Sequence, residues 1–316
     1  MSHAVSPTTA LVVAVHRHSV EELHADGTTE RCRLHGRYRA DSCPGEGVLV
    51  GDRALLEPGF PLPPPGMAPG PRSVVGIAPR ATLLVRHLTS RTDGRMQGDR
   101  PVAANVDLCL LVQSHGAPVF RPAVADRLIA LARAAQIPAV LVLNKVEDAP
   151  AAGVEGMLAP YRRLGIEGFA VSAVRGTGLD ALGARVAGRL TVLLGPSGVG
   201  KSALAAALAL GAGPASGPLS EARLRAGRGR HTTAGSHLYP LRGGGYIIDT
   251  AGIRSLALPD GSSPDAAFPD VAAAALECRF ADCRHRAEPE VDSSAVVHRE
   301  APQSQGVSRD TPIVHG

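Results

Sequence analysis

Eight consecutive residues, Gly195-Pro196-Ser197-Gly198-Val199-Gly200-Lys201-Ser202, fit G-x-x-x-x-G-K-[ST], the pattern of a loop that wraps phosphate groups. An apolar run at 190–194 precedes it, and an apolar helix-forming stretch, 203–210, begins directly after it at Ala203. Strand, glycine-rich turn and helix N-terminus are what this chemistry requires. Turn N–H groups and the positive end of the helix then converge on bound phosphates. In that arrangement Lys201 serves the outer phosphates and the Ser202 hydroxyl a magnesium ion. A glycine-rich turn that happens to precede a helix is the alternative, and both flanks argue against it.

Rare residue types mark further positions. Of the 33 basic residues only Lys145 and Lys201 are lysine, and asparagine occurs only at Asn105 and Asn144. A compact ammonium on a thin stem suits a phosphate cradle that a planar guanidinium would crowd. The second lysine stands beside an asparagine in Asn144-Lys145-Val146-Glu147-Asp148, after the strand-like run 139–143. Ser172-Ala173 follows a similar run at 168–171, and Asp249-Thr250-Ala251-Gly252 follows 246–248. In parallel α/β sheets the carboxyl ends of strands are where ligands gather.

The elements that must hold these residues form two textures. Up to about residue 100, β-like runs at 11–15, 31–40, 48–57, 73–77 and 81–88 alternate with Gly and Pro clusters at 58–59 and 61–71. Five short strands suggest a small barrel of the OB type, with a generic β-sandwich as the alternative. Arg31, Arg33, Arg37 and Arg39 alternate there and offer one face to phosphates or to solvent; Tyr38 and Phe60 are the few aromatics available for stacking. From 106 the texture is α/β: strand 106–112, helix 123–136 with Leu128, Ile129 and Leu131 on its apolar side, strand 139–143, strand 168–171, helix 179–189 and strand 190–194. The Arg- and Gly-rich segment 222–235 has no periodicity and reads as a loop.

A chain of 316 residues has room for two or three cores, built mainly from Leu, Val and Ala because aromatics are 3% and Trp is absent. Net charge of +4 and a pI near 9.0, carried by Arg, suit a nucleic-acid partner without requiring one. Five Cys are not a disulfide framework, so a reducing compartment is expected. No basic region precedes the apolar run 11–15, and no stretch approaches the ~18 apolar residues of a spanning helix. The expectation is a cytoplasmic protein; nothing argues against a monomer.

Taken together, the motifs have an unusual order. Asp249 to Gly252 resembles the D-x-x-G element of GTPases, Asn144-Lys145 the base-reading N-K-x-D element, and Ser172-Ala173 the S-A element lining guanine. The base-reading parts precede the phosphate loop and D-x-x-G comes last, as circular permutation of a GTPase domain would produce; function lives in the constellation rather than the chain order. This order resembles the ribosome-small-subunit-dependent GTPase A (RsgA) family, from about residue 30 to 290. Val102 to Asp107 is similar to its A-N-V-D entry segment, Gly229-Arg230-His231-Thr232-Thr233 to its G-R-H-T-T element, and Asp249 to Arg254 to its D-T-P-G-I-R. Phe268-Pro269 followed by Cys278, Cys283 and His285 resembles its zinc-binding segment.

The resemblance implies an OB-like barrel over 1–100, a circularly permuted P-loop GTPase domain over 101–260, and a small C-terminal zinc-finger-like segment with a polar tail over 261–316. It implies GTP hydrolysis stimulated by the small ribosomal subunit, with rRNA and GTP or GDP as partners and no membrane. Nucleotide would be held by Asn144, Lys145, Glu147, Ser172, Ala173, residues 195–203, Asp249 and Gly252. Magnesium would lie on Ser202, Thr232 or Thr233, and Asp249, and zinc on Cys278, Cys283 and His285. Lys201 and His231 are the candidate catalytic groups, His231 to position or deprotonate water, because Ile253 stands where many GTPases have a water-orienting Gln. Slow intrinsic hydrolysis accelerated by a partner follows.

Three positions and the C-terminal stretch depart from the family pattern. Glu147 replaces the Asp that reads guanine and is one methylene longer; Val291 stands at the fourth zinc-ligand position, so either Glu290, Asp292 or His298 completes the four ligands a structural zinc needs, or the segment is degenerate with two free thiols. Beyond about 290 the chain is polar and lacks helical periodicity, which reads as a disordered tail. Ala251 replaces a Pro, which loosens the segment after Asp249. Two rival readings are a P-loop ATPase or small-molecule kinase, which leaves Asn144-Lys145 and Ser172-Ala173 unexplained, and a non-catalytic GTP-dependent ribosome- or RNA-binding paralogue.

Overall fold

The computed structural model describes residues 8–16, 18–24, 29–35, 38, 47–57, 72–88, 98–210, 236–250 and 267–276. The chain divides into two compact units, 1–262 and 263–316. In the first unit, β1 (Thr8–Val15), β2 (Ser19–Leu23), β3 (Thr29–Leu34), β4 (Arg53–Leu56) and β5 (Ser73–Ile77) close a barrel in the order β1-β2-β3-β5-β4. All pairings are antiparallel except β3 with β5. Alternation puts Val12, Val20, Cys32, Leu34, Ala54, Leu56 and Val74 inside the barrel. On β3 the same alternation turns Arg31 and Arg33 outward, while Arg37 and Arg39 lie outside the described residues.

Strand number matches the sequence expectation, but strand membership does not. The run 81–88 is not a barrel strand: β6 (Leu83–Leu88) pairs with β7 (Gly98–Ala104) in a separate two-stranded ribbon. Its place is taken by β2, whose sequence Ser-Val-Glu-Glu-Leu hides an inward-facing Glu22. Nor is 48–57 one strand. The chain turns at Val50-Gly51, where Gly51 has φ +92° and the Asp52 carboxylate accepts the Leu49 N–H at 2.8 Å. Strand β3 ends at Leu34 rather than 40.

Glu22 is fully buried, and among the described residues its carboxylate has no N–H or O–H partner. Burial pushes its carboxyl up to about 7, against a weaker downward pull from the Cys32 thiol and Arg72. The folded barrel therefore holds a proton that the unfolded chain releases near 4.5, so this contribution to stability is lost as pH rises from that value through 7. Glu22→Gln should abolish that slope and exceed the parent at pH 8 by up to about 3 kcal/mol, with little difference at acid pH. Urea midpoints measured across this range check it, and parallel pH profiles for parent and variant would refute it.

The rest of the first unit is a six-stranded sheet, order β10-β9-β8-β11-β13-β12, comprising β8 (Leu108–Ser114), β9 (Ala139–Asn144), β10 (Glu167–Ala170), β11 (Arg189–Leu194), β12 (Ser236–Pro240) and β13 (Gly245–Thr250). Only β12, at the edge, is antiparallel to its neighbour. Central β8 is buried at every position, as a strand covered on both faces must be. The helices are α1 (Pro122–Ala134), α2 (Ala151–Arg163), α3 (Leu179–Val186) and α4 (Lys201–Leu210). Helix α3 stops three residues before the expected 189, leaving Arg189 to begin β11. Helix α2 and strand β12 are absent from the sequence reading; Gly153, Gly156 and Pro160 mask the helix, and only Leu158 and Tyr161 on it are buried.

The segment between ribbon and sheet explains its own sequence. Asn105, at φ +55°, donates from Nδ2 to the Gly51 carbonyl of the barrel (2.9 Å) and accepts the Ala81 N–H on Oδ1 (2.8 Å). Asp107 accepts the Leu190 N–H at 2.8 Å, which fixes the start of β11. In the second unit, α5 (Pro269–Ala275) is the described helix, with Asp270 in its first turn. No described helix is long and apolar enough to cross a membrane.

Candidate nucleotide-binding site

Strands β8, β9, β10, β11 and β13 run parallel, so their carboxyl ends share one edge of the sheet. The loop 195–200 leaves β11 there and α4 begins at Lys201. Two glycines are required by close approach. A Cβ on Gly195 would fall 2.2 Å from the Val112 carbonyl oxygen, and one on Gly200, at φ +92°, 2.5 Å from Asn144 Nδ2. Lys201 Nζ donates back across the loop to the carbonyls of Gly195 (2.9 Å) and Pro196 (2.8 Å). Burial pulls its pKa down, opposed by the charge of Asp249. From the first turn of α4 the Ser202 hydroxyl donates to Asp249 Oδ2 at 2.7 Å, with Asp249 itself 7% exposed at the end of β13. Hydroxyl and carboxylate are hard oxygen donors of the kind magnesium takes, so this pair fits the ion by chemistry.

Asn144, 2% exposed at the end of β9, ties two loops together. Its Nδ2 donates to the Val199 carbonyl at 3.0 Å, and its Oδ1 accepts the Ala173 N–H at 3.1 Å. Lys145, at φ +63°, lays its stem along the phosphate loop and donates to the carbonyls of Gly198 (2.7 Å) and Ala117. Glu147 Oε1 accepts the Ser172 hydroxyl at 2.8 Å, and Ser172 Oγ in turn accepts the Arg175 N–H at 2.9 Å. The longer Glu is thus drawn toward Ser172. Asp148 turns outward, its side chain 87% exposed and paired with Arg175.

Arg175 is the residue that sequence reasoning misses. Its guanidinium donates to the Glu147 carbonyl and to Asp148 Oδ1, each at 3.1 Å, closing the two base-side loops on each other. No motif contains it; an Arg three residues after the S-A serine is the sole signal. The structure thus brings together Asn144, Lys145, Glu147, Ser172, Ala173, the loop 195–200, Lys201, Ser202 and Asp249 at one sheet edge. Gly252, His231, Thr232, Thr233, Cys278, Cys283, His285 and Val291 lie outside the described residues. Among the described residues no group of three or more His, Cys, Asp and Glu is gathered for a metal, and Cys32 and Cys109 are free and buried.

A phosphate loop on β11, an aspartate closing β13 and an Asn-Lys pair on β9, with β8 to β10 ahead of β11 in the chain, define a circularly permuted P-loop GTPase behind a five-stranded barrel. The family model for the RsgA GTPase matches residues 77–259. The small ribosomal subunit biogenesis GTPase RsgA of Moorella thermoacetica is 34% identical over 269 residues, covering 84% of this chain and 83% of the relative. The protein of the same name from Streptomyces coelicolor is 36% identical over 282 residues, covering 83% and 75%. Two crystal structures share the fold: YjeQ from Thermotoga maritima (24% identity, TM-score 0.60, 93% of this chain and 91% of that one) and YloQ, a circularly permuted GTPase (22%, 0.61, 93% and 89%). The chain belongs to the RsgA GTPase family.

Proposed function

We propose that this chain hydrolyses GTP in the biogenesis of the small ribosomal subunit, and that the subunit accelerates the hydrolysis. The observation carrying this is the bridge made by Asn144, which couples the phosphate loop at Val199 to the base-side loop at Ala173. A nucleotide with a guanine at one end and a triphosphate at the other is the ligand for which such a bridge has a purpose. The relatives' shared name supports the ribosomal role.

Phosphoryl transfer asks the protein mainly for positioning and charge. In this reading the loop amides and Lys201 hold the β- and γ-phosphates, and Lys201 exchanges its carbonyl partners for phosphate oxygens. Glu147, oriented by Ser172, accepts the guanine ring N–H and amino group. Ser202 and Asp249, with Thr232 or Thr233, would hold magnesium, which would supply charge to offset that of the phosphates. His231 positions water, and Gly252 senses the γ-phosphate. The division into barrel 1–100, GTPase domain 101–260 and C-terminal segment 261–316 is part of the same proposal, as are a monomeric, cytoplasmic protein and rRNA contact. A zinc on Cys278, Cys283 and His285 needs a fourth ligand to replace Val291, and a metal-to-protein ratio near zero would remove it.

Multiple-turnover hydrolysis with and without purified small subunits tests the whole. The expected result is slow turnover alone, stimulation of at least about tenfold by the subunit, and little competition from ATP, since a site built to hydrogen-bond one base rejects another. ATP competing at equal concentration would point to an ATPase or kinase. GTP binding without stimulated turnover would point to a non-catalytic paralogue.

A further inference from the structure

Three partly buried arginines of the first unit sit in ion pairs. Arg72 meets Glu30 at 2.6 Å, Arg80 meets the buried Asp52 at 2.8 Å, and Arg185 meets Glu167 at 2.8 Å. Arg86 and Arg100 depart from this. They stand directly opposite each other across the β6–β7 ribbon, both partly buried, and neither side chain makes a hydrogen bond or ion pair with any described residue. The next pair in register, His87 and Asp99, is bonded at 2.9 Å and holds the ribbon in place. The register therefore sends the two side chains off the same face of the ribbon at opposed positions, close enough for each charge to act on the other.

Like charges directly opposite on a ladder destabilise it. Burial, and after it the charge of Arg100, pulls the pKa of Arg86 down, so the arrangement works against itself in the isolated protein. An anion spanning both would reverse the sign of the interaction. Guanidiniums are planar forks matched to the oxygens of phosphate, and two of them side by side suit a phosphodiester chain rather than a single carboxylate. Neither residue belongs to the nucleotide site.

We propose that Arg86 and Arg100 form an RNA-backbone contact on the β6–β7 ribbon, in place of the outward Arg row of β3 as the main electrostatic footprint. The choice of RNA among polyanions rests on the ribosomal reading above; the pairing argument does not. The contact reads phosphate, so it positions the protein on RNA without selecting sequence.

The test uses the full-length Arg86→Gln/Arg100→Gln variant, loaded with GTP, against a structured fragment of small-subunit rRNA and against intact small subunits. Binding is followed from about 50 to about 200 mM salt. The expected result is a slope of log affinity against log salt that is shallower by roughly 1 to 2, the release of counterions from one or two phosphates. Intrinsic GTP hydrolysis should be unchanged, and the melting temperature equal or higher, because a repulsion has been removed. An unchanged slope overturns the proposal, as does a lowered melting temperature with intact RNA binding, which would make the pair structural. Saturable binding of inorganic phosphate that the variant loses, with the RNA slope unchanged, would assign the pair to a free anion and overturn it too. Should the double variant fail to fold, Arg100→Gln alone decides, with an expected slope change of about 1. A slope change on naked rRNA without any binding to subunits would sustain the contact while refuting the ribosomal reading.

Discussion

Lys201→Ala should lower kcat for GTP hydrolysis by about 10²- to 10³-fold, the scale on which enzymes lose rate when one preorganised charge or donor is withdrawn from the transition state. The geometry says why this lysine carries that weight. It is half-buried, held by two backbone carbonyls of its own loop, and burial works against its charged form. Carbonyls solvate an ammonium but do not neutralise it, and Asp249 is already engaged by Ser202. An incoming triphosphate supplies the missing negative charge, and most of it where the transferring phosphoryl group develops charge. Lys201→Arg should not rescue the rate. A planar guanidinium cannot follow the same thin path between Gly195 and Pro196. Single-turnover hydrolysis at saturating GTP separates the chemical step from binding, and a melting curve confirms the fold. A rate within threefold of the parent would remove Lys201 from the catalytic account.

The site is more legible in the sequence than the barrel is, for a physical reason. The phosphate loop is made by contiguous residues whose local backbone decides its shape, so G-x-x-x-x-G-K-S can be read without knowing what surrounds it. Asn144 ends a near-continuous apolar strand with Lys145 directly after it, Asp249 follows the apolar run 246–248, and a buried parallel strand closing on polar residues is visible in one dimension. The barrel depends on which strands meet, which is a long-range matter. Strand β2 escapes notice because Glu21-Glu22 looks like surface, although Glu22 has no exposure at all. Residues 83–88 look like any other strand, yet their partner is β7. Helix α2 is held by Leu158 and Tyr161 beneath a sequence with two glycines and a proline. Arg175 acts through the fold alone: its partners are a backbone carbonyl and an exposed carboxylate 27 or more residues away.

Asn144→Ala is expected to cost about 2–4 kcal/mol of stability and to weaken GTP binding along with it. Both ends of the Asn144 amide are used, and the residue is 2% exposed. Truncation leaves the Val199 carbonyl and the Ala173 N–H without their partner, and each buried group stranded in this way costs about 1–3 kcal/mol. Asn144→Asp is a sharper probe. Its carboxylate can still accept from Ala173, but it sets a negative oxygen against the Val199 carbonyl, so it should be no better than alanine. Gly200 provides an internal control. A methyl group there meets Asn144 Nδ2 at 2.5 Å in a backbone with φ +92°, so Gly200→Ala alone suffers both a collision and backbone strain. In the Asn144→Ala background the collision is gone and only the strain remains. The two substitutions should therefore be less damaging together than the sum of their separate effects, by about 1 kcal/mol in a double-mutant cycle. Denaturant unfolding of the four proteins measures this coupling. Strict additivity would mean that Asn144 does not brace the phosphate loop, and that its bond to Val199 is incidental to how the loop is held open for phosphate.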